Sequence, residues 1–243
     1  MGADIHLWAE KKTDGKWVSA DKWVKNKYHT EPGDGEPEFT VAYEDRFYSG
    51  RNYSLFAILA DVRNGYGFAG IPTGKGFKPI AVPKGIPQDA SPEYLHEVKR
   101  WGRDGHSHTY FTVQELLDYD WNQVSTLYGV VSLLQYKEWR DAGGKEGPGE
   151  YSGAISGQDI KTVSPEQADE ILKRHKVEAP ALAGGKERRF ADEPKIDGVV
   201  YYVHIQWTET YAACAENFLK VTLPKLQAVG KPDEVRIVCF FDN

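Results

Sequence analysis

The feature that most narrows the fold is the opening segment Asp4-Ile5-His6-Leu7-Trp8-Ala9-Glu10. Apolar and polar residues alternate through it with period two, the pattern of a β-strand with one face on a core. Ile5, Leu7 and Ala9 take one face; Asp4, His6, Trp8 and Glu10 take the other. The first face asks only for packing. The second sets a carboxylate beside an imidazole, the beginning of a metal-binding or proton-transfer site. The fold is expected to begin at once, with no leader segment.

Further along, Asp14-Gly15 predicts a hairpin turn, with Trp17-Val18-Ser19 returning. Residues 30–38 read as a loop, and Phe39 to Tyr43 as a short strand. Residues 51–64 carry Leu55, Ile58, Leu59 and Val62 at helical spacing, capped by Ser49 or Asn52 and closed at Asn64-Gly65. Residues 65–92 are irregular and rich in Gly and Pro. Ser91-Pro92-Glu93 opens a helix to about Trp101, and Thr112 with Glu115 forms a capping box. Residues 122–141 predict a helix around Val130, Leu133, Leu134 and Trp139. Ser164-Pro165 starts another, to about His175, and residues 178–198 read as loop. Val199 to Trp207 predicts a strand. Tyr211 to Val229 predicts a helix that Pro224 should kink or split. Val235 to Phe241 predicts the last strand. A β-α-β unit of this length favours a parallel pair. The expectation is an α+β fold: a mixed sheet covered by helices, with a C-terminal βαβ unit. Residues 1–121 and 199–243 form its core domain, and 122–198 a helical and Gly-rich insertion.

Charge and cysteine content exclude some classes. The net charge of −6 argues against bulk nucleic-acid binding, which needs a basic face. The basic run Lys186-Glu187-Arg188-Arg189 reads as solvated surface. Two cysteines, Cys214 and Cys239, make no disulfide framework, so a cytoplasmic setting is expected. No apolar run is long enough to span a membrane.

Several side chains point to chemistry. Asp4 and His6, at i and i+2 of a strand, can ligate one metal, or one can orient the other. His106 and His108 repeat that spacing in an expected loop, with Asp104 beside them. His204 and Gln206 share a strand face, and Asp242 ends the last strand. The candidate metal ligands are Asp4, His6, His106, His108 and Asp242. The catalytic candidates are Asp4, His6, Asp104 and His106. Mixed His/Asp ligation suits Zn²⁺, Mn²⁺ or Fe and would activate water. Arg51, Asn52, Arg63, Asn64, Trp8 and His204 are candidates for holding a ligand, the arginines through phosphate. The same groups also serve as caps, turns and solvated surface in many folds. Gly65-Tyr66-Gly67-Phe68-Ala69-Gly70 matches the dinucleotide fingerprint by letter but follows a helix and opens none, so it reads as loop glycines.

Asp4-Ile5-His6 and Gly105-His106-Ser107-His108 are similar to two motifs of calcineurin-like metallophosphoesterases, but the Gly-Asn-His motif of that family is missing. A wider match joins the opening Met-Gly-x-Asp-Ile-His, the stretch from Arg51-Asn52-Tyr53 to Asp61-Val62-Arg63-Asn64, Asp104-x-His106-Ser107, and Arg236-Ile237-Val238 with Phe241-Asp242-Asn243. Together these resemble a group of uncharacterised bacteriophage and prophage proteins. Ala3 stands where that group is expected to carry Cys, and the block at 122–198 is not covered. The resemblance implies phage origin and, by analogy, action on nucleotide immune signals inside the bacterial host.

Three functions are open at this point. One is a metal-dependent hydrolase of a phosphate-containing small molecule such as a nucleotide. The second is a non-catalytic protein, expected to be a homo-oligomer, that sequesters a nucleotide-like ligand. The third is an interaction module that blocks a host factor.

Overall fold

A computed structural model describes residues 2–31, 35–178 and 193–243. In chain order the strands are β1 (Asp4–Thr13), β2 (Lys16–Ser19), β3 (Trp23–Lys25), β4 (Phe39–Val41), β5 (His106–Thr112), β6 (Val124–Ser132), β7 (Ile160–Val163), β8 (Lys195–Ile196), β9 (Val199–Thr210) and β10 (Val235–Asp242). The helices are α1 (Tyr53–Ala60), α2 (Pro92–Trp101), α3 (Val113–Asp118), α4 (Leu133–Asp141), α5 (Pro165–Arg174), α6 (Tyr211–Cys214) and α7 (Leu223–Gln227). The chain is α+β, as its patterning predicts. None of its described helices is long and apolar enough to cross a membrane. The basic run at 186–189 and most of the loop expected at 178–198 lie outside the described residues.

Two compact units emerge: Met1–Asn64, Phe77–Gln123 and Tyr211–Asn243 form the first, Gly65–Gly76 and Val124–Thr210 the second. The strand at 199–210, placed in the core domain by the sequence reading, groups with the second unit.

The first unit is built on an antiparallel sheet of order β2-β1-β10-β5. Strand β10 is central, and Val235 to Phe241 are all buried. One face carries Ile5, Leu7, Phe111, Ile237 and Phe241 into the main core, under α1. Helix α1 is buried from Leu55 to Ala60 and so is apolar all round. Asn52 caps it by accepting from Leu55 N–H at 3.1 Å. The other face carries Trp8, Val238 and Phe240 against Tyr94, Val98 and Trp101 of α2. At one end of that face Arg236 pairs with Glu10 at 2.7 Å, and their side chains are 4% and 0% exposed.

The second unit has β6 antiparallel to β9, with β7 parallel to β9 and β8 antiparallel to it. Here the structure corrects two expectations. The helix expected over 122–141 is β6 followed by α4. Ser125, Leu127 and Gly129 are buried at alternate positions, a period-two signal. Ser132 and Gln135 form the capping box that opens α4. The C-terminal βαβ unit is also absent, because β9 and β10 belong to different sheets. The segment between them splits, as Pro224 requires. A π-helical turn, Phe218–Thr222, precedes α7, and Leu223 N–H bonds Phe218 O. The glycines at 65–76 are structural: a Cβ at Gly74 would lie 2.7 Å from Thr126 O, where this segment bridges to β6.

Candidate functional site

The sheet register builds one polar centre directly. Asp4 stands opposite Asp242 across β1 and β10, and His6 opposite Phe240. Asp242 Oδ1 accepts from Asp4 N–H at 3.0 Å. Its Oδ2 lies 3.4 Å from His6 Nε2, within ion-pair distance but out of hydrogen-bond alignment. The His6 ring packs on Trp101 at 4.1 Å between centroids and on Phe240 at 5.0 Å. Burial among these rings lowers the imidazole pKa, with Asp242 opposing, so His6 is neutral at pH 7. The Asp4 carboxylate is also held below its usual range, chiefly by its hydrogen bonds from Arg51, at 2.7 Å from Nε and 2.5 Å from Nη2.

His6 borders a cavity of about 370 Å³. Asp4 to Trp8 of β1 form one wall. Asp21, Trp23, Arg46 and, from α2, Glu97 and Trp101 are among the residues enclosing the rest. Glu97 is paired with Arg100 at 2.5 Å. Asp21 Oδ2 accepts from Ala9 N–H at 2.8 Å, yet burial pushes its pKa up to about 7. Two enclosed side-chain nitrogens, His6 Nε2 on β1 and Trp101 Nε1 on α2, have no aligned hydrogen-bond partner.

His106 and His108 do not share a face, and they lie in β5 rather than in a loop. Strand β5 takes three steps from His106 to Thr109 while β10 takes two from Phe241 to Cys239. Ser107, with φ of 52°, is the extra residue of a β-bulge. His108 therefore packs on Phe240, with Nδ1 3.2 Å from Tyr94 Oη. His106 turns the other way, toward Phe241 and a depression of about 500 Å³ shared with Asp61, Arg63, Ser107 and Asn243. There Arg63 donates to Asn243 Oδ1 at 3.2 Å, which leaves Asn243 Nδ2 to donate to His106 Nε2 at 3.0 Å. His106 Nδ1–H then donates to Ser107 Oγ at 3.0 Å, and the imidazole is neutral.

The structure thus gathers Asp4, His6, Trp8 and Asp242 in one cavity and sets His106 with Arg63 in another place. Among the described residues no group of three or more His, Cys, Asp or Glu side chains is arranged for a metal ion. Asp104 lies exposed in the turn after α2. His204 is exposed on β9 of the second unit. Asn52 and Asn64 are clamps: Asn52 Nδ2 reaches Cys214 O at 2.7 Å, and Asn64 exchanges two bonds with the Phe77 backbone at 2.6 and 2.8 Å. Sequence reasoning missed Asp21, Arg46, Glu97 and Trp101. Glu97 had a signal, since Tyr94, Glu97 and Trp101 recur at i, i+3 and i+7 and place a carboxylate on the buried stripe of α2.

The first unit is an α+β scaffold around a partly enclosed polar and aromatic cavity. No protein-family model, curated protein or solved structure matches the chain.

Proposed function

We propose that the first unit binds a nucleotide-like small molecule in the His6 cavity. The carrying observation is the cavity itself, which sets three tryptophans, Arg46 and the His6–Asp242 pair around one space. The volume of about 370 Å³ falls in the range of small-molecule sites. Trp8, Trp23 and Trp101 offer ring faces for a planar heterocycle. Arg46 borders the same cavity without a carboxylate partner among the described residues and suits a phosphate better than Arg51, which Asp4 already occupies. In the phage setting that the resemblance implies, such a protein would sequester a nucleotide signal. Calorimetric titration with AMP, CMP, GMP and UMP tests this. At least one should bind with one-to-one stoichiometry, and Arg46→Ala, which removes the phosphate's partner, should weaken it about tenfold. Absence of heat with all four would refute the proposal.

A second reading, metal-dependent hydrolysis of the same ligand, is favoured by one observation: a neutral imidazole 3.4 Å from a carboxylate. It requires stoichiometric Zn, Mn or Fe by elemental analysis, lost in His6→Ala, and turnover of the bound nucleotide. Ligand recovered unchanged supports the binder.

A further inference from the structure

We infer that the ligand's heterocycle is read by the open backbone edge of β1, and that the ligand class is a planar ring carrying a hydrogen-bond donor beside an acceptor on one edge. This deepens the proposal of a nucleotide-like ligand and rests on it.

The direction of each peptide group in β1 follows from the bonds at its ends. Lys12 N–H reaches Glu234 O, and Asp4 N–H reaches Asp242 Oδ1, both on the β10 side. Ala9 does the opposite: its N–H reaches Asp21 Oδ2, and its carbonyl accepts from Ala20 N–H. Antiparallel strands alternate in this way, so even-numbered residues face β10 and odd-numbered residues face the second edge. Strand β2 covers that edge only over Glu10 to Thr13. Below it, Asp21 takes the Ala9 N–H, and Tyr53 Oη takes the Ala3 N–H at 3.2 Å. Between these two, the outward N–H and C=O groups of Ile5 and Leu7 meet no partner among the described residues. Both residues line the His6 cavity. Both residues are buried, at 8% and 5% exposure.

Unpaired backbone donors and acceptors at a buried edge require partners. An extended residue presents its N–H and C=O to one side, a donor and an acceptor close together in one plane. A lactam edge, as in uracil or guanine, offers the complement: a ring N–H beside a carbonyl oxygen. The ring N–H would donate to Leu7 O, and the carbonyl would accept from Leu7 N–H. The rings of Trp8, Trp23 and Trp101 then remain to pack on the heterocycle.

The test compares UMP with 3-methyluridine 5′-monophosphate and GMP with 1-methylguanosine 5′-monophosphate, read by tryptophan fluorescence of the full chain. Methylation of the ring nitrogen removes the donor and should weaken binding at least about tenfold. Leu7→Pro removes the outward N–H without removing a bond to β10 and should weaken the unmethylated ligands similarly. If that variant does not fold, amide hydrogen exchange of the wild-type chain decides, with Leu7 and Ile5 slowing on addition of ligand. Equal binding of methylated and unmethylated ligands, with no slowing at Leu7, would overturn the inference while leaving a nucleotide site. No binding of UMP, GMP, AMP or CMP would instead remove the proposal it rests on, and the inference with it.

Discussion

The two polar centres of the first unit use the same residue types and arrive at opposite environments. At the His6 cavity, a histidine and an aspartate are walled by three tryptophans and α2, and two ring nitrogens are left without partners. At the His106 depression, the histidine has both nitrogens bonded, through Asn243 and Ser107. The first centre is the more enclosed; the second is more open, and its histidine is bonded at both nitrogens. Enclosure among aromatic rings, and not the number of histidines, sets the first centre apart.

The largest expected effect probes the enclosed face. Arg236→Ala should strip Glu10 of its partner at 0% exposure and cost about 3–5 kcal/mol in chemical denaturation. Arg63→Ala, in the open depression, should stay within about 1 kcal/mol. Equal losses would erase the contrast.

Next is Asp21. Burial lifts its folded pKa to about 7 from the ordinary 3.8. Its contribution to stability is therefore full below about pH 4 and is lost as pH rises through about 7. Asp21→Asn keeps an acceptor for Ala9 N–H and should raise stability at pH 8 by on the order of 2–4 kcal/mol, with little change at pH 4. A variant less stable than wild type at pH 8 would contradict this assignment.

His6 gives a smaller slope of opposite sign. Its folded pKa is below 6.5, so its contribution is present above that value and is lost as pH falls through the folded pKa. Replacement by Phe should flatten the acid side of the stability curve. His106 shares the direction of shift but is less enclosed. Its nitrogen resonances at pH 7 should report the Nδ1–H tautomer, and Asn243→Ala should release that preference.

Much of the fold was legible because its signals are local. Asn52, Ser91, Thr112 and Ser164 each cap the helix that their spacing predicts. The alternation at Ile5, Leu7 and Ala9 marks the core face. What was not legible depends on pairing. The Ser107 bulge exists only because β5 lies beside β10, and it turns His106 away from His108. The choice of β1 and β5 as the neighbours of β10, in place of β9, is equally non-local. Of the candidate site, Asp4, His6, Trp8 and Asp242 were readable from strand pattern. Asp21 and Trp101 come from separate elements brought in by packing, and Arg51 pairs with Asp4.

The most direct measurement is a titration of isotopically labelled protein with GMP and UMP, followed through backbone amides, indole N–H groups and imidazoles. Shifts centred on Leu7, the Trp101 indole and His6, with Arg63, His106 and Asn243 unmoved, are the expected result. Shifts confined to the His106 depression, or none at millimolar nucleotide, would contradict the assignment of the enclosed cavity as the binding site.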